Sequence, residues 1–141
     1  MIDGVKLTHL DIIEVEGGDV LHALKKTDSG FIHFGEAYFS KVKLKAIKAW
    51  KRHKKMTLNL ICPVGEVKFV LVDDSEEEIT FEEYVLSNEN YKRLTVPPGV
   101  WFGFQGLSIN HSLVLNIADI IHDPEEVERK ELKEILYRWE K

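Results

Sequence analysis

The chain has 141 residues, of which 44% are hydrophobic and 30% are charged, and its formal net charge is -5. This length predicts one domain, residues 1–141, that buries about two-thirds of its unfolded surface, and it argues against two independent cores. Net acidity argues against a general nucleic-acid binder, which usually carries a basic domain.

Cys62 is the only cysteine, so an intrachain disulfide is excluded, and we expect a small core residue in a reducing compartment. The N-terminus has no basic region followed by an apolar core, so no signal peptide is predicted. No apolar stretch approaches the roughly 20 residues that cross a bilayer. We therefore expect a cytoplasmic protein without membrane association.

The first predicted element is a short helix over residues 19–25, one or two turns long, with Asp19 as its N-cap. Two strands follow, because apolar and polar residues alternate over residues 31–39 and 42–50. The first of these strands places Glu36 and Tyr38 on one face.

Short strands and tight turns fill the middle of the chain. Strands are predicted at residues 57–62, 66–72, 82–86, 91–96, 102–104 and 112–120. A hairpin turn is predicted at residues 63–65, and an exposed hairpin loop at the acidic residues 73–78. About eight short strands with tight turns are typical of an all-β sandwich or barrel.

The last predicted elements follow Asp123. An N-cap carboxylate before Pro124 is a typical helix start, and the glutamates that come next complement the helix dipole. Residues 131–139 are predicted to form either a short helix or an extended tail. The sequence as a whole predicts a β-domain with short helical flanks.

Residues 48–57 carry the strongest functional signal, because five of these ten residues are cationic in an acidic protein. Strand alternation places Ala49, Lys51, His53 and Lys55 on one face and Lys48, Trp50, Arg52 and Lys54 on the other. A buried, unpaired lysine costs several kcal/mol, so a bound anion such as phosphate, or a carboxylate such as Glu36, is expected beside them. The alternative is a solvated edge strand whose lysines deter aggregation.

Lys51 and His53 are the candidate catalytic residues of this stretch. Protonated lysine cannot ligate a metal, so no metal site and no cofactor are predicted. His53 is predicted to act as a general acid or base, with a pKa lowered by the adjacent lysine. Donation of a hydrogen bond to a phosphate or to the backbone is the alternative. Trp101 and Phe104, after the rigid turn at residues 97–99, would stack on a base or sugar ring, or else form a core corner.

Several motifs occur together over nearly the whole chain. They are G-x-V-L-H (18–22), F-G-E-x-Y-F-S (34–40), W-x-R-H-K-K-M-T (50–57), P-P-G-V-W-x-G-F (97–104), H-D-P-E-E-x-E-R (122–129) and Y-x-W (137–139). In this order and spacing they resemble the branch of the cupins related to dTDP-4-dehydrorhamnose 3,5-epimerase. The resemblance implies a cupin jelly roll, a homodimer and a sugar-nucleotide ligand, with no metal requirement.

The chain departs from the epimerase pattern at the positions of the catalytic residues. The R-G-x-H motif that carries the catalytic histidine reads Lys48-Ala-Trp-Lys51, so lysine occupies the base position. Three other positions also differ. Asn116 stands near the position of the epimerases' acid tyrosine, Thr57 stands near that of a supporting lysine, and Phe102 replaces a histidine that is often found there. Glu36 and Tyr38 replace the Q-x-N of the epimerases.

Two functions follow from these observations. The first is an isomerase or epimerase that removes a proton next to the ketone of a dTDP-4-keto-6-deoxyhexose, with His53 as base and Lys51 at the developing oxyanion, or with Lys51 as base. The second is a sugar-nucleotide-binding protein that has lost the base and acid. The expected ligand contacts are Glu36, Tyr38, Lys48, Arg52, Lys55, Thr57, Asn59, Trp101, Phe102 and Asn116.

Overall fold

A computed structural model describes all 141 residues, which form twelve β-strands and two single-turn 3₁₀ helices. The strands are β1 (Lys6–His9), β2 (Ile12–Ile13), β3 (Val20–Leu21), β4 (Glu36–Val42), β5 (Ile47–His53), β6 (Leu58–Val64), β7 (Glu66–Asp73), β8 (Thr80–Ser87), β9 (Lys92–Val96), β10 (Trp101–Gly106), β11 (Ser112–Ala118) and β12 (Val127–Arg129). The 3₁₀ helices span Pro124–Glu126 and Leu132–Glu134. The predicted all-β fold with short helical flanks is confirmed.

Two five-stranded antiparallel sheets form the body of the protein. The first sheet has the order β1-β9-β6-β11-β4, and the second has the order β12-β5-β10-β7-β8. A small hairpin of β2 and β3 lies apart from them. Strands distant in sequence are neighbours in both sheets, as expected for a jelly roll.

The main hydrophobic core lies between the two sheets. Alternation along each strand supplies it: β7 contributes Val67, Phe69 and Leu71, while the first sheet contributes residues such as Leu60 and Leu94. A second cluster lies on the outer face of the second sheet and consists of Trp50, Val70, Val72 and Trp101. The second sheet is therefore covered on both faces.

The helix predicted at residues 19–25 is wrong. Val20 and Leu21 pair with Ile13 and Ile12 as strand β3. The Asp19 carboxylate accepts a hydrogen bond from the backbone N–H of Val15, 3.4 Å away, on its N-terminal side. It therefore closes a turn between two short strands instead of capping a helix.

The hairpin predicted at residues 63–65 is also wrong, because β6 and β7 belong to different sheets. Gly65, with φ +86°, turns the chain from the first sheet to the second. Its Cα lies so close to Ser112 that a Cβ would be 2.3 Å from the Ser112 Oγ. The acidic loop at residues 73–78 is confirmed as a hairpin loop, since β7 and β8 pair along their whole length.

The C-terminal segment begins as predicted and then becomes extended. The Asp123 carboxylate accepts from the Glu125 N–H at 3.0 Å, but the helix is a single 3₁₀ turn. After the second 3₁₀ turn, residues 135–140 run extended across the outer face of the second sheet. The predicted tail is thus packed against the body of the protein. None of the helices is long and apolar enough to cross a membrane.

Candidate active site

A cavity of about 370 Å³ lies between the two sheets. Its walls come from β4, β6 and β11 of the first sheet and from β5, β10 and β12 of the second. The apolar part of the lining consists of Ala49, Trp50, Leu58, Phe102 and Phe104. The volume is in the range of small-molecule sites, although the cavity is open to solvent at one side.

The charged residues of the cavity lining are all cationic. They are Lys48, Lys51, Arg129 and Lys130, and no aspartate or glutamate is among the twelve lining residues. Lys48, Lys51 and Arg129 form no ion pair with any carboxylate of the protein. In a protein of net charge -5, this arrangement creates a local positive potential suited to an anion.

A β-bulge brings Lys48 and Lys51 into the same cavity. Phe102 pairs with Lys51 and Phe104 with Lys48, so Gly103 alone faces the two residues between the lysines. Those two residues, Ala49 and Trp50, are joined by a cis peptide bond. Strict alternation predicted that the two lysines lie on opposite faces of the strand. This prediction is wrong for Lys48, because the bulge adds one residue between the lysines and so turns Lys48 to the same face as Lys51.

Lys51 is a half-buried amine beside two other cations. Burial lowers its pKa, and repulsion from Arg129 and Lys48 adds to the effect, against a smaller opposing attraction from Glu126. Both effects disfavour the protonated form. The cavity therefore holds a lysine whose neutral, basic form is favoured relative to an exposed lysine.

The opposite wall carries Tyr38, Ser40 and Asn116. Tyr38 is 41% exposed, and partial burial together with the nearby Glu36 carboxylate raises the pKa of its phenol, which stays protonated. The Asn116 amide donates to the backbone of Tyr38 and Val114 and to the Ser40 hydroxyl, at 3.2 to 3.4 Å. Asn116 thus orders this wall, and Tyr38 is the group there that can give up a proton.

His53 lies next to the cavity without lining it. It is buried, its ring stacks on Phe102 at 6.0 Å, and its Nδ1 is 2.5 Å from the Oε1 of Glu126. The other carboxylate oxygen accepts from the backbone N–H groups of residues 54, 55 and 56. Because this carboxylate only accepts, Nδ1 carries the proton of the neutral ring.

The ionisation states of this pair are set by burial and hydrogen bonding. Burial lowers the pKa of His53, outweighing the stabilising effect of Glu126, so the ring is neutral near pH 7. Burial acts to raise the pKa of Glu126, but hydrogen bonds from His53 and from backbone N–H groups hold it below its ordinary value. The pair fixes the loop after β5 with a neutral ring and an ionised carboxylate.

Two predicted ligand contacts face away from the cavity. Arg52 pairs with Glu128 at 3.0 Å and Asp74 at 3.2 Å, and its guanidinium lies 4.6 Å from the centre of the Trp101 ring. The indole N–H of Trp101 donates to Asp74. Both side chains therefore belong to the outer face of the second sheet, where they have protein partners.

Four other predicted contacts also lie outside the cavity lining. Asn59 is buried and bonds to Gly30, Arg93 and Thr95, an arrangement that secures the loop before β4. Thr57 is buried and paired through its backbone with Asp119. Lys55 is exposed beyond the end of β5, and Glu36 shares a face with Tyr38 at the start of β4.

The residues that sequence reasoning missed come mainly from β12. Arg129 is the Cα partner of Lys51, and the backbone of Lys130 forms two hydrogen bonds of 3.1 Å with that of Trp50. Arg129 ends the H-D-P-E-E-x-E-R motif, which was the only available signal for it. No group of three or more histidine, cysteine, aspartate or glutamate side chains is arranged to hold a metal ion.

Comparison with known proteins agrees with this geometry. The family model described as "FdtA: WxcM-like, C-terminal" matches residues 3–135. The chain belongs to this family. A dTDP sugar isomerase from Desulfovibrio desulfuricans G20 is 38% identical, with a TM-score of 0.91 over 97% of this chain and 91% of that chain.

Two further relatives extend the comparison. The spore coat polysaccharide biosynthesis protein SpsL of Bacillus subtilis (strain 168) is 27% identical over 94% of this chain and 89% of its own length. A dTDP-4-dehydrorhamnose 3,5-epimerase from Bacillus anthracis str. Ames shares the fold, with a TM-score of 0.82 at 23% identity over 96% of this chain and 85% of that chain. The resemblance inferred from the motifs is confirmed, and the family is sugar-nucleotide isomerase- and epimerase-like.

Proposed function

We propose that this protein is an isomerase or epimerase that acts on a dTDP-4-keto-6-deoxyhexose by moving a proton next to the ketone. The observation that carries the proposal is the cavity, with four cationic and no acidic lining residues. A nucleotide sugar supplies the diphosphate that such a cavity favours. The 38% identity to a dTDP sugar isomerase supports the same substrate class.

In this proposal Lys51 removes the proton. It occupies the position at which related epimerases carry histidine, and its neutral form is favoured by burial and by neighbouring cations. His53 is less suited to that role, since its Nδ1 donates to Glu126 and its ring does not line the cavity. We assign His53 the task of holding Phe102 and the end of β5 in place.

The other cavity residues complete the reaction. As the C–H proton passes to the Lys51 amine, its electron pair forms a C=C bond and the ketone oxygen becomes an enolate. Arg129 and Lys48 stabilise the enolate or the diphosphate, because neither forms an ion pair with a protein carboxylate. In epimerisation the Tyr38 hydroxyl returns a proton to the original carbon. In isomerisation it protonates the former carbonyl carbon, while the hydroxyl on the neighbouring carbon passes its proton to the enolate oxygen and becomes the new ketone.

Incubation of the protein with a dTDP-4-keto-6-deoxyhexose in D₂O tests the proposal. We expect deuterium at the carbon next to the ketone, detected by NMR, and a new sugar isomer. Lys51→Met should lower this exchange by about 10² to 10⁴, the usual contribution of a general base. Lys26→Met is a matched control, because Lys26 is an exposed lysine that lines neither the cavity nor the outer face of the first sheet.

Ligand binding separates the enzyme from the alternative of a binding protein without chemistry. A dTDP-sugar at a hundred times its Kd should stabilise the fold by about 2.7 kcal/mol, measured as a thermal shift. Stabilisation without exchange or product would support the binding protein. If dTDP-sugars cause neither stabilisation nor exchange, both assignments are wrong.

We also propose a homodimer formed through the outer face of the first sheet. Phe39 on β4 is 62% exposed and pairs with Leu115 on β11, and Ile117 and Leu113 continue the same half-exposed apolar face. A second copy of the chain would remove this apolar surface from water. Light scattering should give a dimer mass for the wild type and a monomer mass for Phe39→Glu. A monomeric wild type would contradict the proposal.

A further inference from the structure

The C-terminal residues 131–140, here called the strap, lie on the outer face of the second sheet, behind the cavity. Ile135, Tyr137 and Trp139 pack on the second apolar cluster, and Trp139 lies with its ring centre 5.4 Å from that of Trp50. Leu136, which alternates with them, is 86% exposed. The strap thus behaves as an added strand-like segment with one buried face.

The end of the strap is anchored by buried polar side chains. Gln105 is fully buried and forms a reciprocal pair with the backbone of Glu140, accepting from its N–H at 3.0 Å and donating to its carbonyl at 2.9 Å. Lys68, 5% exposed, pairs with the Glu140 carboxylate at 3.3 Å and lies over the rings of Tyr137 and Trp139. Hydrogen bonds from buried side chains hold a segment in one position. The buried indole N–H of Trp139 has no partner, so packing alone holds that ring.

Trp50 connects the strap to the cavity. Its indole N–H donates to the Leu132 carbonyl at 3.2 Å, and its backbone bonds to Lys130 in both directions at 3.1 Å. Trp50 is also one of the two residues of the bulge, directly before Lys51. The strap therefore holds Trp50, and Trp50 belongs to the bulge that puts Lys48 and Lys51 on the same face.

We infer that the strap is a positioning element for the cavity lysines, and that Trp139 and Trp50 are positioning residues. By holding Trp50 on the outer face, the strap maintains the bulge that turns Lys48 and Lys51 inward, and it keeps Arg129 of β12 beside Lys51. The importance of this for catalysis rests on the proposed function.

The pKa of Lys51 depends on this arrangement. Burial and the nearness of Arg129 are the two largest causes of its lowered pKa. When the strap is loosened, water reaches the bulge and β12 moves more freely, so both causes weaken and the Lys51 pKa rises toward the ordinary 10.5. A strap that only adds stability would leave that pKa unchanged in the folded protein.

The test compares Trp139→Ala with Leu136→Ala, a control on the exposed face of the same strap. Each protein is treated with acetic anhydride between pH 7 and 11, and acetylation of Lys51 is measured by peptide mass spectrometry. We expect the inflection for Lys51 to move upward by roughly half a pH unit or more in Trp139→Ala and to stay in place in Leu136→Ala. An unchanged inflection in folded Trp139→Ala would overturn the inference.

A second variant and the choice of assay keep the test decisive. If Trp139→Ala does not fold, Gln105→Ala is examined in the same way and must give the same upward shift. This change removes the anchor of Glu140 together with one hydrogen bond to the Lys45 carbonyl. Because acetylation needs no sugar nucleotide, the result stands even if the wild type shows no exchange in D₂O. Failure of the proposed function and failure of the strap inference are therefore recorded by different experiments.

Discussion

Tyr38 and Asn116 are directly paired Cα partners across β4 and β11, and both line the cavity. The motif resemblance places Asn116 near the acid tyrosine of the epimerases, and a carboxamide is too weak an acid for that role. Its cross-strand neighbour supplies a phenol in the same wall. Side chains of directly paired residues lie about 5 Å apart on one face of a sheet, so in the proposed reaction Tyr38 would be the proton donor of this wall.

Tyr38→Phe tests this relationship. We expect proton exchange to fall by about 10² or more, because the phenol that returns the proton is absent, while dTDP-sugar affinity stays within a few-fold. Deuterium incorporation and calorimetric binding measure the two effects. Tyr84→Phe is the control, since Tyr84 bonds to Glu82 on β8 and does not line the cavity. Unaltered exchange in Tyr38→Phe would remove Tyr38 from the mechanism.

The pH dependence of the reaction should follow Lys51. A general base acts in its unprotonated form, so the rate rises with pH and levels off above the Lys51 pKa. Because burial and neighbouring cations lower this pKa, the inflection of kcat/KM should lie below 10.5. A rate that is independent of pH between 6 and 10 would count against Lys51 as the base.

Arg129→Met should change both that profile and binding. Arg129 is, after burial, the largest cause of the lowered Lys51 pKa, so its loss should move the inflection to higher pH and lower the rate near pH 7. Affinity for the diphosphate should also fall and become less sensitive to salt. Arg138→Met, an exposed arginine of the strap, serves as the control in pH-rate and titration experiments. An inflection that stays in place would show that Arg129 does not act on Lys51.

Glu126→Gln should destabilise the protein by about 2 to 4 kcal/mol, because a buried carboxylate that accepts from His53 and three backbone N–H groups is lost. Urea unfolding measures this change. A loss below about 0.5 kcal/mol would mean that the pair carries little of the stability.

The same pair predicts how stability depends on pH. Both folded-state pKa values are lowered, so the unfolded chain binds more protons and stability is lost as pH falls. The His53 contribution is present above its ordinary pKa of 6.5 and declines below it, and that of Glu126 declines below 4.5. Thermal unfolding from pH 3 to 8 should show that the decline below pH 4.5 is smaller in Glu126→Gln than in the wild type.

Gly103→Ala tests the bulge. A Cβ at residue 103 would lie 2.5 Å from the Ala49 Cβ, which forces the bulge to shift and should cost about 1 to 3 kcal/mol. Ala49→Gly removes the opposing methyl group, so the double variant should recover part of the loss, and a double-mutant cycle gives the coupling. If the effects of the two changes are additive, contact between residues 49 and 103 is not the cause of the lost stability.

The sequence determined the fold class and the cluster of cations that contributes to the cavity. Alternation of apolar and polar residues is a local property, and it identified the central strands of both sheets. It missed the edge strands β1 and β12, and β4 and β5 begin five residues later than the predicted strands at 31–39 and 42–50. The cations of residues 48–55 could be read directly from the chain. Turn assignments were weaker, because residues 63–65 look the same whether the next strand pairs beside the last or joins the other sheet.

The tertiary structure decided which side chains meet. Glu126 lies 73 positions from His53 in the chain, and Arg129 reaches Lys51 only because β12 pairs with β5. The bulge opposite Gly103 reversed the face of Lys48, which no alternation rule shows. Pattern and composition act over a few residues, whereas register, bulges and pairing between distant strands are set by how the whole chain packs, and these last features build the cavity.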